Sequence, residues 1–235
     1  MSRFLVDTVV CDMDGTVLAS RNFALTAIRN AFAILGSEYP DLPIPVDGTI
    51  VAQIGKPFHA FYKDLLPARF RDLEARLFEL TQLGESRAIE GGQASLFPRV
   101  TETLVELRAR GLNLALISNC SSNYLEKIEY AFQLSQYFHR LACVGDRPGQ
   151  SKTDLLRSAL ASLKSHRAVM VGDRVHDREA ARECGCFFVG CSYGYGGTGE
   201  LAEHDALIGD FSELSGIVER SGERGDFSNS TPSKA

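Results

Sequence analysis

The chain has 235 residues, of which 44% are hydrophobic and 23% are charged, and its formal net charge is -5. This composition predicts a globular protein with room for one large domain, or for a core domain with a smaller insert. The acidic balance argues against nucleic acid as a main partner, because nucleic-acid binding usually requires a basic face. The first residues lack the length and cleavage pattern of a signal peptide, and no uncharged apolar stretch approaches membrane-spanning length. We therefore expect a cytoplasmic protein with no membrane partner.

The six cysteines lie mostly in apolar or strand-like segments, where a reduced thiol behaves as a small hydrophobic side chain. Cys184, Cys186 and Cys191 are close in sequence, but no second ligand pair follows at the spacing of a zinc site. We expect free thiols.

The first predicted element is an apolar strand, Phe4 to Cys11, which leads into the sequence DMDGT at residues 12–16. Its nearly continuous apolar character is typical of a strand that is covered on both faces. Asp12 and Asp14 are one residue apart, so their side chains would lie on the same side of extended backbone. Two carboxylates this close at a buried strand end require a cation or a shared proton.

Residues 18–94 show helical patterns and turns without a strand rhythm. One helix, with apolar residues from Leu25 to Leu35, is expected to end at Gly36, and a second, from Phe70 to Leu80, is expected to end at Gly84. We therefore predict a helical insert after the first strand.

From Pro98 onward, helices alternate with predicted strands at 112–117, 141–144, 168–171, 186–189 and 206–208. This alternation predicts an α/β fold, a doubly wound parallel sheet with helices on both faces. Residues 221–235 are rich in serine, glycine and charge, which predicts a disordered tail. The predicted organisation is a core of residues 1–17 and 95–220, a helical insert of residues 18–94, and the tail.

Polar residues follow several of the predicted strands: Asp12, Asp14, Ser118, Asn119 and Asp173. In parallel sheets, ligands bind outside the carboxyl ends of the strands. A lysine joins this set, because Ser151 is a candidate N-cap that would place Lys152 in the first turn of a helix. We expect these residues to converge on one site.

This combination of residue types suits phosphoryl transfer. Several carboxylates around one point offer the oxygen ligands that Mg²⁺ prefers, while a lysine and a serine can hold the non-bridging oxygens of a phosphoryl group. A carboxylate can also attack phosphorus and form an aspartyl-phosphate. A second carboxylate can protonate the leaving oxygen and later deprotonate water.

Taken in order, the motifs DMDGT (12–16), SN (118–119), Lys152 and GDRVHD (172–177) resemble those of the haloacid dehalogenase (HAD) superfamily of phosphohydrolases. The resemblance implies a Rossmann-like core with a small α-helical cap domain inserted after the first strand. It implies that Asp12 is the nucleophile and a metal ligand. It also implies that Asp14 is the general acid and base and gives the metal its backbone carbonyl.

The same resemblance implies that Ser118 and Lys152 bind phosphate, with Asn119 as a further candidate. Asp173 would bind Mg²⁺ directly, and Asp177 would act through a water or by fixing Lys152.

Two further segments resemble the phosphoglycolate-phosphatase-like branch: residues 55–58 (GKPF) and residues 194–196 (GYG). The resemblance therefore implies a small phosphorylated metabolite as substrate, such as phosphoglycolate. One departure is the segment RPGQSK at 147–152, where many relatives carry Lys-Pro, so Arg147 is an alternative cation to Lys152. Lys56 is a candidate for substrate contact from the insert.

Several other functions are compatible with this fold. A nucleotidase and a phosphosugar phosphatase or mutase are alternatives, although residues 18–35 contain no histidine of the kind that such mutases carry. A dehalogenase does not need Asp14. A non-catalytic phospholigand sensor is expected to have lost a nucleophile or a metal ligand, whereas this chain retains both. The oligomeric state stays open.

Overall fold

The computed structural model describes residues 6–145, 149–197 and 199–224. Six strands form one all-parallel sheet in the order β3-β2-β1-β4-β5-β6. The strands are β1 (Thr8–Cys11), β2 (Asn113–Ser118), β3 (Arg140–Cys143), β4 (Ala168–Gly172), β5 (Phe187–Cys191) and β6 (Ala206–Ile208). The predicted α/β class and parallel sheet are therefore confirmed.

Helices pack on both faces of the sheet and fill the long connection after β1. Those of the connection are α1 (Arg21–Glu38), α2 (Asp47–Val51), α3 (Phe58–Leu65) and α4 (Glu74–Glu90). The remaining ones are α5 (Val100–Ala109), α6 (Ser122–Phe132), α7 (Lys152–Leu163), α8 (Val175–Cys184) and α9 (Leu214–Arg224).

The order in which strands are added to the sheet reverses at β1. The chain proceeds from β1 to β2 and β3 on one side, and then returns to place β4, β5 and β6 on the other. Because a crevice opens at the carboxyl ends of strands where the strand order reverses, the ends of β1 and β4 are the expected ligand site of this fold.

Alternate residues of the central strands enter two apolar clusters, one on each face of the sheet. In β1, Val9 and Cys11 belong to one cluster and Val10 to the other, and all are fully buried. This explains why the strand has no polar side, since a parallel sheet is covered on both faces.

A third apolar cluster lies within the helical connection and holds α1, α2, the α3 region and α4 around residues such as Phe32 and Leu77. The structure is compatible with the predicted cap domain of residues 18–94, and we keep that division as a proposal. We refer to residues 18–94 below as the helical segment.

Two predicted helix ends in this segment are wrong. Helix α1 continues past Gly36 to Glu38, and α4 continues past Gly84 to Glu90. Gly84 does not end the helix but lies where α4 packs against α1. A Cβ at this position would lie 2.9 Å from the Cβ of Ala27, so the lack of a side chain lets the two helices approach closely.

The ends of the chain lie partly outside the described residues. The predicted start of the first strand at Phe4 falls there, as do residues 225–235 of the predicted tail. Helix α9 extends to Arg224 and so enters the segment predicted as tail. Within residues 6–145, 149–197 and 199–224, no helix combines the length and apolar character that crossing a membrane requires. All six cysteines are free, as predicted.

Candidate active site

The predicted site residues converge at the carboxyl ends of β1, β2 and β4. Asp12 directly follows β1, Ser118 ends β2, and Asp173 directly follows β4. The other two arrive on helices: Lys152 is the first residue of α7, and Asp177 lies in the first turn of α8. The five side chains are almost completely inaccessible to solvent.

Lys152 bridges two of the buried carboxylates. Its ammonium group donates to Oδ1 of Asp12 and lies 2.5 Å from Oδ1 of Asp177. The Ser151 hydroxyl accepts from the backbone N–H of Asp154 and the Asp154 carboxylate accepts from the backbone N–H of Ser151, which fixes the start of α7. Burial disfavours the charged lysine, but Asp12 and Asp177 outweigh it and raise the pKa of Lys152.

Three carboxylates form a compact acidic group. One oxygen each of Asp12, Asp173 and Asp177 lies within 4.8 Å of the others. Burial raises the pKa of Asp12 well above its usual value although Lys152 opposes the shift. Burial and the charge of Asp177 raise the pKa of Asp173 to about 7. Burial and the proximity of the other carboxylates both favour the protonated forms, and a bound cation would offset this repulsion.

A glycine-rich loop after β5 holds Asp173 in place. Its carboxylate accepts from the backbone N–H groups of Tyr195, at 2.6 Å, and Gly196, at 3.2 Å. A Cβ on Gly196 would lie only 1.8 Å from the carbonyl oxygen of Asp173, so no other residue fits there without displacing backbone. Gly15 has a φ of 86° and approaches the Asp173 carboxylate from the β1 side.

Asp14 lies apart from the three-carboxylate group and belongs to a different environment. Its Oδ1 accepts from the Tyr124 hydroxyl at 3.0 Å. Burial raises its pKa, while the hydrogen bond from Tyr124 partly offsets the shift. A raised pKa is the condition under which a carboxyl group can carry a proton to a leaving oxygen.

Ser118 and Asn119 occupy different positions. The Ser118 hydroxyl lies at the end of β2 and accepts from the backbone N–H of Cys120 at 3.2 Å. The Asn119 amide instead donates to the carbonyl of Gly55 at 2.9 Å and thus joins the sheet to the helical segment. In this structure Asn119 therefore holds the helical segment, which leaves its predicted phosphate contact a proposal.

Arg174 makes a second connection to the helical segment, which the sequence did not reveal. Its guanidinium donates to the carbonyls of Ile54 and of Ala52, the latter at 3.0 Å, and to Glu200 at 2.9 Å. Arg174 lies in the GDRVHD motif, but the pattern gives no indication of which carbonyls it reaches. Arg147, the alternative to Lys152, lies outside the described residues.

A cavity of about 70 Å³ lies between the strand ends and the helical segment. Asp14, Ser118 and Tyr124 form its floor, and Lys56 and Glu85 of the helical segment also line it. Burial and the nearby Asp14 raise the pKa of Glu85 to about 8. The Lys56 ammonium group lies 3.3 Å from the half-exposed carboxylate of Asp64. Neither Tyr124 nor Glu85 was predicted as a site residue.

The strand order and the acidic group at the ends of β1 and β4 define the class of the protein: a doubly wound α/β protein with an oxygen-rich site and a buried lysine beside it. A family model for haloacid dehalogenase-like hydrolases matches residues 6–185, and the chain belongs to this family. The predicted superfamily is thereby confirmed.

Two curated relatives are similar over most of their length. Tyrosine-protein kinase PtkA of Mycobacterium tuberculosis is 28% identical over 219 residues, which cover 89% of this chain and 72% of that protein. Phosphoglycolate phosphatase of Yersinia pestis is 29% identical over 216 residues, which cover 88% of this chain and 90% of the enzyme. Among solved structures, a predicted phosphoglycolate phosphatase from Haemophilus somnus superposes with a TM-score of 0.77 at 22% identity, covering 90% of this chain and 97% of that one, which supports the fold.

Proposed function

We propose that this protein is a Mg²⁺-dependent phosphatase that hydrolyses a small phosphomonoester through an aspartyl-phosphate on Asp12. The observation that carries the proposal is the buried ammonium group of Lys152, which contacts Asp12 at the point where β1 ends. A carboxylate can attack a phosphoryl group only if the negative charges of both are reduced, and Lys152 is placed to do this. The relatives named as phosphoglycolate phosphatases support the reaction class.

The residues fit a magnesium ion. Oδ2 of Asp12 is buried without a hydrogen-bond partner among the described residues, and the three carboxylates offer hard oxygen ligands in a small volume. Asp12 and Asp173 would hold the ion, with Asp177 acting directly or through a water and Asp14 contributing its backbone carbonyl. When bound, Mg²⁺ supplies positive charge that stabilises the phosphoryl oxygens in the transition state.

The side chains then divide the reaction between them. A carboxylate oxygen of Asp12 forms a bond to phosphorus while the bond from phosphorus to the leaving oxygen breaks. Lys152 and Ser118 hold the non-bridging oxygens, and Asp14 gives its proton to the leaving alcohol. Asp14 next takes a proton from water, whose oxygen bonds to phosphorus while the bond from phosphorus to the Asp12 oxygen breaks. Inorganic phosphate is released, and Asp12 and the protonated Asp14 are restored.

Hydrolysis of an aryl phosphate tests this proposal. We expect turnover that requires Mg²⁺ and is lost in EDTA, and we expect Asp12→Asn to reduce kcat by at least about 10³-fold because the amide is a poor nucleophile. Asp41→Asn, at an exposed position in the helical segment, is the matched control and should retain activity.

Unchanged kcat in the Asp12→Asn variant would contradict the covalent step. A wild-type protein that binds phosphate analogues but hydrolyses no phosphomonoester would instead favour the phospholigand sensor. Nucleotidase and phosphosugar phosphatase activities are distinguished by including a nucleoside monophosphate and a sugar phosphate among the substrates.

A further inference from the structure

The cavity beside Asp14 carries an unpaired acidic group on the side where the leaving alcohol would lie. Glu85 is 9% exposed and lines this cavity from α4. Phe78 and Gln82 precede it by about two turns and one turn of the helix, so the three side chains share one face of α4. This face of α4 forms the wall of the cavity opposite the strand ends.

No hydrogen bond or ion pair satisfies the Glu85 carboxyl group within the described part of the chain. The nearest candidate donors have other partners. The Tyr124 hydroxyl donates to Asp14 at 3.0 Å, and the Gln82 side chain hydrogen-bonds with Tyr62. Burial of the residue and the nearby Asp14 raise the pKa of this carboxyl group, which opens onto the cavity.

The charges that line the cavity are unequal. Asp14 and Glu85 contribute acidic groups, and the single cationic side chain among the lining residues described is Lys56. Lys56 is 29% exposed and lies 3.3 Å from the Asp64 carboxylate, so its charge is already partly neutralised. An anionic leaving group would thus meet two acidic side chains, and Lys56, the cation among the described lining residues, already pairs with Asp64.

We propose that Glu85 is a specificity-determining residue, which selects small phosphomonoesters whose leaving alcohol carries a hydroxyl or ammonium donor and rejects those whose leaving alcohol is anionic. The inference rests on the proposed phosphatase function and narrows its substrate class. It separates this chain from the phosphoglycolate phosphatases among its relatives, since the leaving alcohol of phosphoglycolate carries a carboxylate. A site built to accept a hydrogen bond discriminates strongly against analogues that lack the donor.

Four two-carbon phosphates of similar size test the proposal: 2-aminoethyl phosphate, 2-hydroxyethyl phosphate, ethyl phosphate and phosphoglycolate. For the wild-type protein, we expect kcat/KM for the first two to exceed that for ethyl phosphate by about 10-fold or more, and that for phosphoglycolate by about 100-fold. An aryl phosphate is measured alongside as the reference for phosphatase activity.

The key measurement is a ratio within one protein preparation, which does not depend on the folded fraction. In Glu85→Gln, the ratio of kcat/KM for 2-aminoethyl phosphate to that for phosphoglycolate should fall at least about 10-fold. Glu79→Gln lies on the same helix, with a side chain that is 65% exposed, and should leave the ratio unchanged.

Two outcomes would overturn the inference, and they are distinguishable. In the first outcome, the aryl phosphate is hydrolysed, phosphoglycolate is the preferred two-carbon substrate, and Lys56→Met removes that preference. Lys56 would then bind the substrate carboxylate, and the selectivity assigned to Glu85 would be wrong. If none of the phosphates is hydrolysed, the aryl ester included, the proposed phosphatase function fails and the selectivity fails with it.

Discussion

We expect Lys152 to stabilise the fold as well as to bind phosphate. The loss of stability in Lys152→Met, compared with that of the same substitution at an exposed lysine, measures this stabilisation. The side chains of Lys152 and Asp177 are 4% and 0% exposed. Methionine retains most of the lysine's length and removes its charge. The substitution therefore leaves Asp12 and Asp177 buried without their cation, while the packing changes little.

The expected loss follows from this burial. Removing one partner of a buried ion pair destabilises a protein by about 3 to 5 kcal/mol, because the remaining charge stays desolvated. The matched control is Lys127→Met, since Lys127 pairs with Glu90 at 2.8 Å with side chains that are 30% and 66% exposed. An exposed pair of this kind contributes about 0 to 1 kcal/mol.

The loss should also grow with pH. Burial already raises the pKa of Asp12 and of Asp173, the latter to about 7, and removing Lys152 raises them further. A carboxyl group with a folded-state pKa above its unfolded value binds protons more tightly in the folded protein. Its stabilising effect is therefore complete below the unfolded pKa and is lost as the pH rises through the folded pKa.

Urea unfolding followed by circular dichroism, in EDTA at pH 5.5 and pH 8, measures these effects. The Lys152→Met variant should lose more stability at pH 8 than at pH 5.5, and Lys127→Met should lose little at either pH. Equal losses in the two variants, or a loss in Lys152→Met that does not change with pH, would refute the assignment of Lys152 as the charge that holds the buried carboxylates together.

Two further substitutions test contacts at opposite ends of the central strands. Burial opposes the ionisation of Asp7, but hydrogen bonds from Ser165, Thr8 and backbone N–H groups just before β4 outweigh it and lower the pKa of Asp7. The stabilising effect of Asp7 is therefore present above its unfolded pKa and is lost as the pH falls. Asp7→Asn should cost about 1 to 2 kcal/mol in urea unfolding at pH 7 and progressively less towards pH 3, with no change in the exposed Asp41→Asn. Gly196→Ala should reduce the free energy of unfolding by about 1 to 3 kcal/mol, because the added Cβ displaces Asp173. It should also raise the Mg²⁺ concentration needed for half-maximal turnover. In the control Gly197→Ala, the added Cβ meets nothing within 4 Å, so stability and Mg²⁺ dependence should stay unchanged.

The sequence was sufficient to predict which residues meet at the strand ends, because parallel strands bring their carboxyl ends to one edge of a sheet. Asp12, Ser118 and Asp173 each follow an apolar run, and the strand register brings them together. Lys152 could be placed for a local reason: Ser151 and Asp154 form a capping box that fixes where α7 begins.

Features that depend on packing between distant elements could not be predicted. Gly84 has the sequence pattern of a helix end, but the approach of α1 makes it an interior residue of α4. Arg174 reaches the helical segment only because the chain brings Ile54 close to β4. Glu85 resembles any charged residue of a surface helix until the fold turns its face of α4 towards Asp14.

The structure separates the charges of the site into two regions, and this separation connects the proposed chemistry with the proposed selectivity. On the phosphate side, the carboxylates of Asp12, Asp173 and Asp177 are offset by Lys152 and by backbone N–H groups. On the leaving-group side, Glu85 has no such partner within the described residues, and the Asp14 carboxylate accepts from the Tyr124 hydroxyl. In the proposed binding mode, the first region holds the phosphomonoester dianion and the second contacts the alcohol. A donor on the alcohol would then stabilise the complex, whereas a carboxylate would add a third acidic group.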